Sequence, residues 1–157
     1  MQSIRIARIV VVADSDQGQI LAARLRRMDI AKVIAVAGFK EARRLCQLGD
    51  ADACLVAIGA PIPDGIPAAE TEAPGRCCGV PTLIVAPVVT PYLRRTARRC
   101  GYLAAISATI PPRMLYRRLG AALQRRRSAR ASSRRLSPEM PVILRQDAAV
   151  FGKPTLH

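Results

Sequence analysis

Asp52-Ala53-Cys54-Leu55-Val56-Ala57-Ile58-Gly59-Ala60-Pro61-Ile62-Pro63-Asp64-Gly65 is a short apolar run that empties into a proline- and glycine-rich turn. Six successive apolar residues, Ala53 to Ile58, suit a strand covered on both faces, as in a parallel sheet. The Asp-Gly pair after two prolines suits a turn. In parallel sheets function gathers beyond the carboxyl ends of the strands. At that place the run ends Val56-Ala57-Ile58, with no side chain able to carry chemistry.

Outward from this strand the same unit recurs. Ile9-Val10-Val11-Val12-Ala13 is an apolar, β-branched run that stops at Asp14-Ser15-Asp16. Gln17 to Met28 follows with Ile20, Leu21, Leu25 and Met28 at helical spacing. Ser15 or Asp16 suits its N-cap. Lys32 to Ala37 is a strand closed by Gly38, and Phe39 to Leu48 a helix stopped by Gly49. Thr82 to Ala86 is a fourth strand, Pro91 to Cys100 a helix ended by Gly101, and Leu103 to Ile106 a short fifth strand. Pro111-Pro112 open a final helix to about Arg127. Alternation at this spacing predicts an α/β fold with a doubly wound, five-stranded parallel sheet.

One unit departs from the pattern. Between Gly65 and Val80, where a third helix belongs, Pro67, Pro74, Gly75 and Gly79 leave room for one or two helical turns. A missing helix would bare apolar sheet surface, to be covered by a second copy or by residues 140–151. Ser128 to Arg135 is Ser- and Arg-rich without an apolar face, which predicts a disordered linker. The expected organisation is therefore a domain over residues 1–127 and a basic C-terminal tail over 128–157. Met140 to Phe151 is apolar again.

At 157 residues the chain suits one domain with an appendage. Its net charge of +14 is lopsided: residues 1–75 carry nine basic and nine acidic side chains, residues 76–157 sixteen and two. Such asymmetry favours an anionic partner. The apolar run Ile9 to Ala13 is shorter than the roughly 20 residues of a membrane span and the ~7–15 of a signal-peptide core. A cytoplasmic location without a membrane span is the expectation. Cys46, Cys54, Cys77, Cys78 and Cys100 form no CxxC pair, and the single histidine is His157, so no metal site and no cofactor is called for. Cys46 and Cys54 suit small core residues, whereas Cys77-Cys78, beside Arg76, sit where a thiolate would be favoured. With no Ser/His or Cys/His pairing and no phosphate-cradling loop, the chain is not expected to be an enzyme.

The order of elements, Asp14 at a strand end and above all Pro61-Ile62-Pro63-Asp64-Gly65 resemble the receiver domain of bacterial response regulators over about residues 5–127. The resemblance implies the CheY-like (flavodoxin-like) strand order 2-1-3-4-5. In that family the proline and Asp-Gly pair follow the phosphoaccepting aspartate at fixed offsets, which puts the acceptor position at Ala57. It further implies a degenerate phosphorylation site. Asp14 stands for the first of the acidic pair, with Ser15 in place of its neighbour. Ala86 stands for the switch Ser/Thr, Ala105 lies near the switch aromatic, and Ala108 stands for the phosphate-binding lysine. An aspartyl phosphate needs a carboxylate nucleophile, a cation held by hard oxygens and charge stabilisation of the departing group. A methyl supplies none of these, so the chain resembles a pseudo-receiver.

In receivers the surface of the fourth helix, fifth strand and fifth helix is the usual output and dimerisation face. Here Arg94, Arg95, Arg98 and Arg99 recur on one helix, Arg113, Arg117 and Arg118 on the next, and Arg125-Arg126-Arg127 continue it. Two functions fit. The first is a phosphorylation-independent interaction module of two-component-type signalling that binds a kinase, a regulator or itself, as a homodimer. The second is a nucleic-acid-binding regulator in which arginines meet phosphates. With aromatics at 3% of the chain, its binding would be weakly specific and salt-dependent.

Overall fold

The computed structural model describes residues 4–13, 16–58 and 72–136. Five parallel strands, β1 (Arg8–Val12), β2 (Lys32–Val36), β3 (Ala53–Ala57), β4 (Thr82–Ala86) and β5 (Ala104–Ser107), form one sheet in the order β2-β1-β3-β4-β5. This is the order the family resemblance implies. The helices are α1 (Asp16–Arg27), α2 (Phe39–Gln47), α3 (Pro91–Arg99) and α4 (Pro112–Leu136). Strand β5 lies one residue further along than the hydrophobic run predicts, because the backbone of Leu103 bonds Thr82 before the ladder from Leu83↔Ala104 to Ala86↔Ser107 begins.

Period-two alternation divides the strands between two cores. Ile9, Val11, Leu55, Ala57, Leu83, Val85 and Ile106 pack on Leu21, Ala22 and Leu25 of α1 and Leu115, Leu119 and Leu123 of α4. Val10, Val12, Val36, Cys54, Val56, Ile84 and Ala86 pack with Ala42 and Cys46 of α2 and Leu93 and Ala97 of α3. Helix α3 begins as its sequence dictates: Pro91 follows Thr90, whose Oγ1 accepts the Leu93 N–H at 3.1 Å.

The region of the third helix reduces, in its described part, to a 3-10 turn at Arg76–Cys78. The expected bare sheet surface is not found among the described residues. Ala73, Val80 and Tyr102 enter the core between α2 and α3, and every residue of β3 and β4 is buried. The close approach depends on Gly75, where a Cβ would lie 2.1 Å from the Val80 carbonyl oxygen. Burial first, then the Cys77 thiol, pushes the Cys78 thiol up, so a thiolate favoured by Arg76 is not met at Cys78.

The final helix is longer than its sequence predicts. It does not stop at Arg127 but runs on to Leu136, so residues 128–136 are helix rather than linker. Residues 140–151 lie outside the described residues, as does the Pro61–Gly65 turn. Among the described residues no helix is long and apolar enough to cross a membrane.

Candidate functional site: an arginine-capped strand end and a basic groove

The carboxyl ends of β3, β4 and β5 bring Ala57 and Ala108 together on the α1 and α4 side of the sheet, whereas Ala86 packs on the α2 and α3 side. Ala57 pairs with Val85 and is 5% exposed, facing the core between α1 and α4. Ala86 is buried, and its carbonyl accepts the Ala108 N–H at 2.8 Å. Ala105 on β5 is half-buried. Asp14 and Ser15 lie outside the described residues.

Above Ala57 is a cleft of about 30 Å³, walled by Ile20, Leu21, Arg24, Ala57, Val85 and Ala108 among others. That is room for little more than a water molecule. Its polar feature is one that sequence inspection missed. Arg24, on the helix α1 that the apolar spacing predicts, extends its guanidinium over the strand ends. Nη1 donates to the Ala108 carbonyl at 3.1 Å, and Nη2 donates to the Ile110 carbonyl. A cation thus bridges α1 to the loop between β5 and α4, next to Ala57, the position that the resemblance assigns to a receiver's acceptor carboxylate. Nothing in the local pattern singles out Arg24 from Arg26 and Arg27; its partners are more than eighty residues away.

The described residues of this arrangement do not fit a divalent cation of the kind receivers use. The buried methyl of Ala57 offers no oxygen ligand, and the Arg24 guanidinium supplies positive charge in the same cleft. Among the described residues no group of three or more His, Cys, Asp or Glu could hold a metal ion.

The second feature is a groove of about 350 Å³ between α3, edge strand β5 and α4. It is lined by Ala105, Ile106 and Ser107 of β5, by Thr109, Ile110 and Pro111 after it, and by Arg94 of α3 and Arg118 of α4. The buried positions of the helices explain the placement. Leu93 and Ala97 turn inward on α3, which sets Arg94 and Arg98 on one flank and Arg95 and Arg99 further out. Leu115 and Leu119 turn inward on α4, which leaves Arg118 beside the core-facing stripe and Arg113 and Arg117 opposite it. All seven arginines are exposed, and among the described residues none is in an ion pair. Two of the seven therefore meet across one groove, while the other five widen the positive field around it. Arg126, grouped with this surface by sequence, is buried elsewhere.

No family model and no curated protein matches the chain. Solved structures do. A pilus assembly-related protein from Burkholderia pseudomallei is similar with a TM-score of 0.62 at 18% identity, over 77% of this chain and 92% of that one. A CheY-like response regulator receiver domain from Methanospirillum hungatei is similar with a TM-score of 0.61 at 18% identity, over 79% and 98%. The receiver domain of a modulated diguanylate cyclase from Desulfovibrio desulfuricans is similar with a TM-score of 0.59 at 19% identity, over 79% and 98%. With the strand order, these likenesses establish the CheY-like receiver fold.

Proposed function

We propose that the chain is a pseudo-receiver, a non-enzymatic interaction module of two-component-type signalling that works without phosphorylation. The observation that carries this reading is Arg24 bonded to the Ala108 and Ile110 carbonyls beside the methyl of Ala57. A receiver switches when a transient phosphoryl group draws the strand-end loops together. Here the chain's own guanidinium holds the last of these loops permanently, and the acceptor is missing. The module therefore has one state, set by folding rather than by a kinase.

A module with one state acts through the surface it presents. The groove between α3, β5 and α4 offers an apolar floor flanked by Arg94 and Arg118, which suits an acidic segment with apolar anchors. The similar structures include a pilus assembly-related protein and the receiver portion of a cyclase, settings in which such a domain would serve a larger assembly.

The test is affinity capture with the wild type and with Arg94→Glu/Arg118→Glu, each with and without acetyl phosphate. The expected outcome is a partner set lost on charge reversal and indifferent to acetyl phosphate. Capture that depends on acetyl phosphate would defeat the proposal. A second reading, nucleic-acid contact, is supported by the run-on of α4, which carries Arg127, Arg130 and Arg134 along an exposed helix. Retardation of duplex DNA at low salt, weakening steeply as salt rises, would favour it.

A further inference from the structure

Helix α4 presents its inward stripe as Leu115, Leu119, Ala122 and Leu123, and the next inward position is Arg126. An apolar side chain would continue the stripe. Instead a guanidinium is taken into the protein with its side chain only 5% exposed. Its Nη1 donates to the Ala51 carbonyl and, at 3.1 Å, to Asp52 Oδ1. Its Nε is buried and has no acceptor among the described residues. Asp52 is not Arg126's alone. Its Oδ2 accepts the Arg8 backbone N–H at 2.9 Å and faces the Arg8 Nε at 3.4 Å.

Arg126 forms one wall of a cleft of about 240 Å³, which also holds Arg127, Arg130, Asp52, Leu123 and Ile6. Three arginines thus share the cleft with one carboxylate, and that carboxylate is already divided between two guanidiniums. Burial lowers the Arg126 pKa, the nearby Arg130 charge lowers it further, and Asp52 only partly restores it. Ile6, 71% exposed, adds an apolar rim. The cleft lies at the amino ends of β1 and β3, roughly 16 Å from Ala57 along β3 at about 3.3 Å per residue. It is a different place from the strand-end site and from the groove on α3 and α4.

We infer that this cleft binds a small phosphate-bearing ligand, with Arg127 and Arg130 clasping the phosphate oxygens over the Arg126 guanidinium and Ile6 meeting an apolar part of the ligand. Guanidinium forks suit phosphate oxygens in both geometry and charge. The volume is below the ~300–1,000 Å³ of clefts for drug-sized molecules, which favours a mono- or diphosphate group with little else enclosed. A bound dianion would also relieve the mutual repulsion of Arg126 and Arg130.

Titration calorimetry of the full chain with inorganic pyrophosphate, at ionic strength held constant with chloride, tests the assignment. Saturable one-to-one binding is expected. Arg127→Gln/Arg130→Gln, both exposed positions, should weaken it about tenfold or more with an unchanged unfolding midpoint, whereas Arg94→Gln/Arg118→Gln should leave it intact. The absence of saturable heat overturns the proposal, and so does equal loss in both double variants. In a parallel arm with duplex DNA, retention that depends on Arg127 and Arg130 without pyrophosphate saturation would assign these arginines to a nucleic-acid backbone and overturn the small-ligand site. None of these outcomes bears on Arg94 and Arg118 as a protein-docking pair, so the two proposals fail separately.

Discussion

Replacing Arg24 with Met removes the guanidinium while keeping most of the apolar stem against α1 and the strand ends. Two hydrogen bonds from a charged donor are lost, to the carbonyls of Ala108 and Ile110. Bonds to charged groups contribute about 1.5–3 kcal/mol each when well buried. Arg24, Ala108 and Ile110 are half-buried, so water can reach the freed carbonyls and recover part of the loss. The expected cost for the pair is therefore about 2 kcal/mol in total. For a domain of this size that corresponds to a fall in Tm of roughly 6–10 °C. The local effect should be larger than the global one. The Ala108 N–H, bonded to Ala86, and the Ile110 N–H, bonded to Ser107, lie in the pinned loop and report on its opening. Urea unfolding followed by circular dichroism gives the global term, and amide exchange over the β5–α4 loop gives the local one. Arg24→Lys, which retains the charge but not the fork, should recover half of the loss or less. A change below about 0.5 kcal/mol together with unaltered exchange at Ala108 and Ile110 would show that Arg24 is an ordinary surface arginine and does not hold the loop.

Burial pushes the Asp52 carboxyl up, but the Arg8 backbone N–H, the Arg8 side chain and the charges of Arg8 and Arg126 together hold it below its ordinary 3.8. A carboxyl lowered in the folded state contributes stability that is present above the ordinary value and lost as pH falls through the lowered one. Asp52→Asn should thus cost about 2–4 kcal/mol at neutral pH, and the gap from wild type should close as pH drops below 3.8; urea midpoints that differ equally at both ends of that range would contradict it. Gly18 of α1 packs so closely on β1 that a Cβ would sit 2.3 Å from Ala13 Cα and 2.9 Å from the Val12 carbonyl oxygen. Gly18→Ala should therefore destabilise by about 1–3 kcal/mol, despite the roughly 1 kcal/mol that alanine gains in a free helix. A rise in the urea midpoint would refute the close contact.

The strands and the winding were legible in short stretches of chain. Apolar runs of about five residues read as parallel strands without reference to a neighbour; β1, β3 and β4 are buried along nearly their whole length, whereas the edge strand β2 is buried only at Val36. The Pro61-to-Gly65 stretch makes Ala57 the expected acceptor position by a count along the sequence alone. Leu93 and Ala97 likewise turn inward on α3 because helical spacing alone sets them on one face, and that same spacing puts Arg94, Arg95, Arg98 and Arg99 outside.

Three features depended on the folded chain. Ser128 to Arg135 lacks an apolar face and reads as a linker, yet it continues a helix already anchored by Leu115, Leu119 and Leu123. An attached segment of Ser, Arg and Ala has no nucleus to form and, with no Gly or Pro to stop it, can propagate the helix. Arg126 looks like its neighbours in an Arg-Arg-Arg run; helical spacing from Leu119 and Leu123 turns it inward, and only the folded chain places the Ala51 carbonyl and Asp52 within its reach. Arg24 likewise resembles any solvent-facing arginine until the β5–α4 loop brings two carbonyls over it. Periodicity says which side of an element is apolar; the partner of a long charged side chain is settled by what the rest of the chain places within its reach.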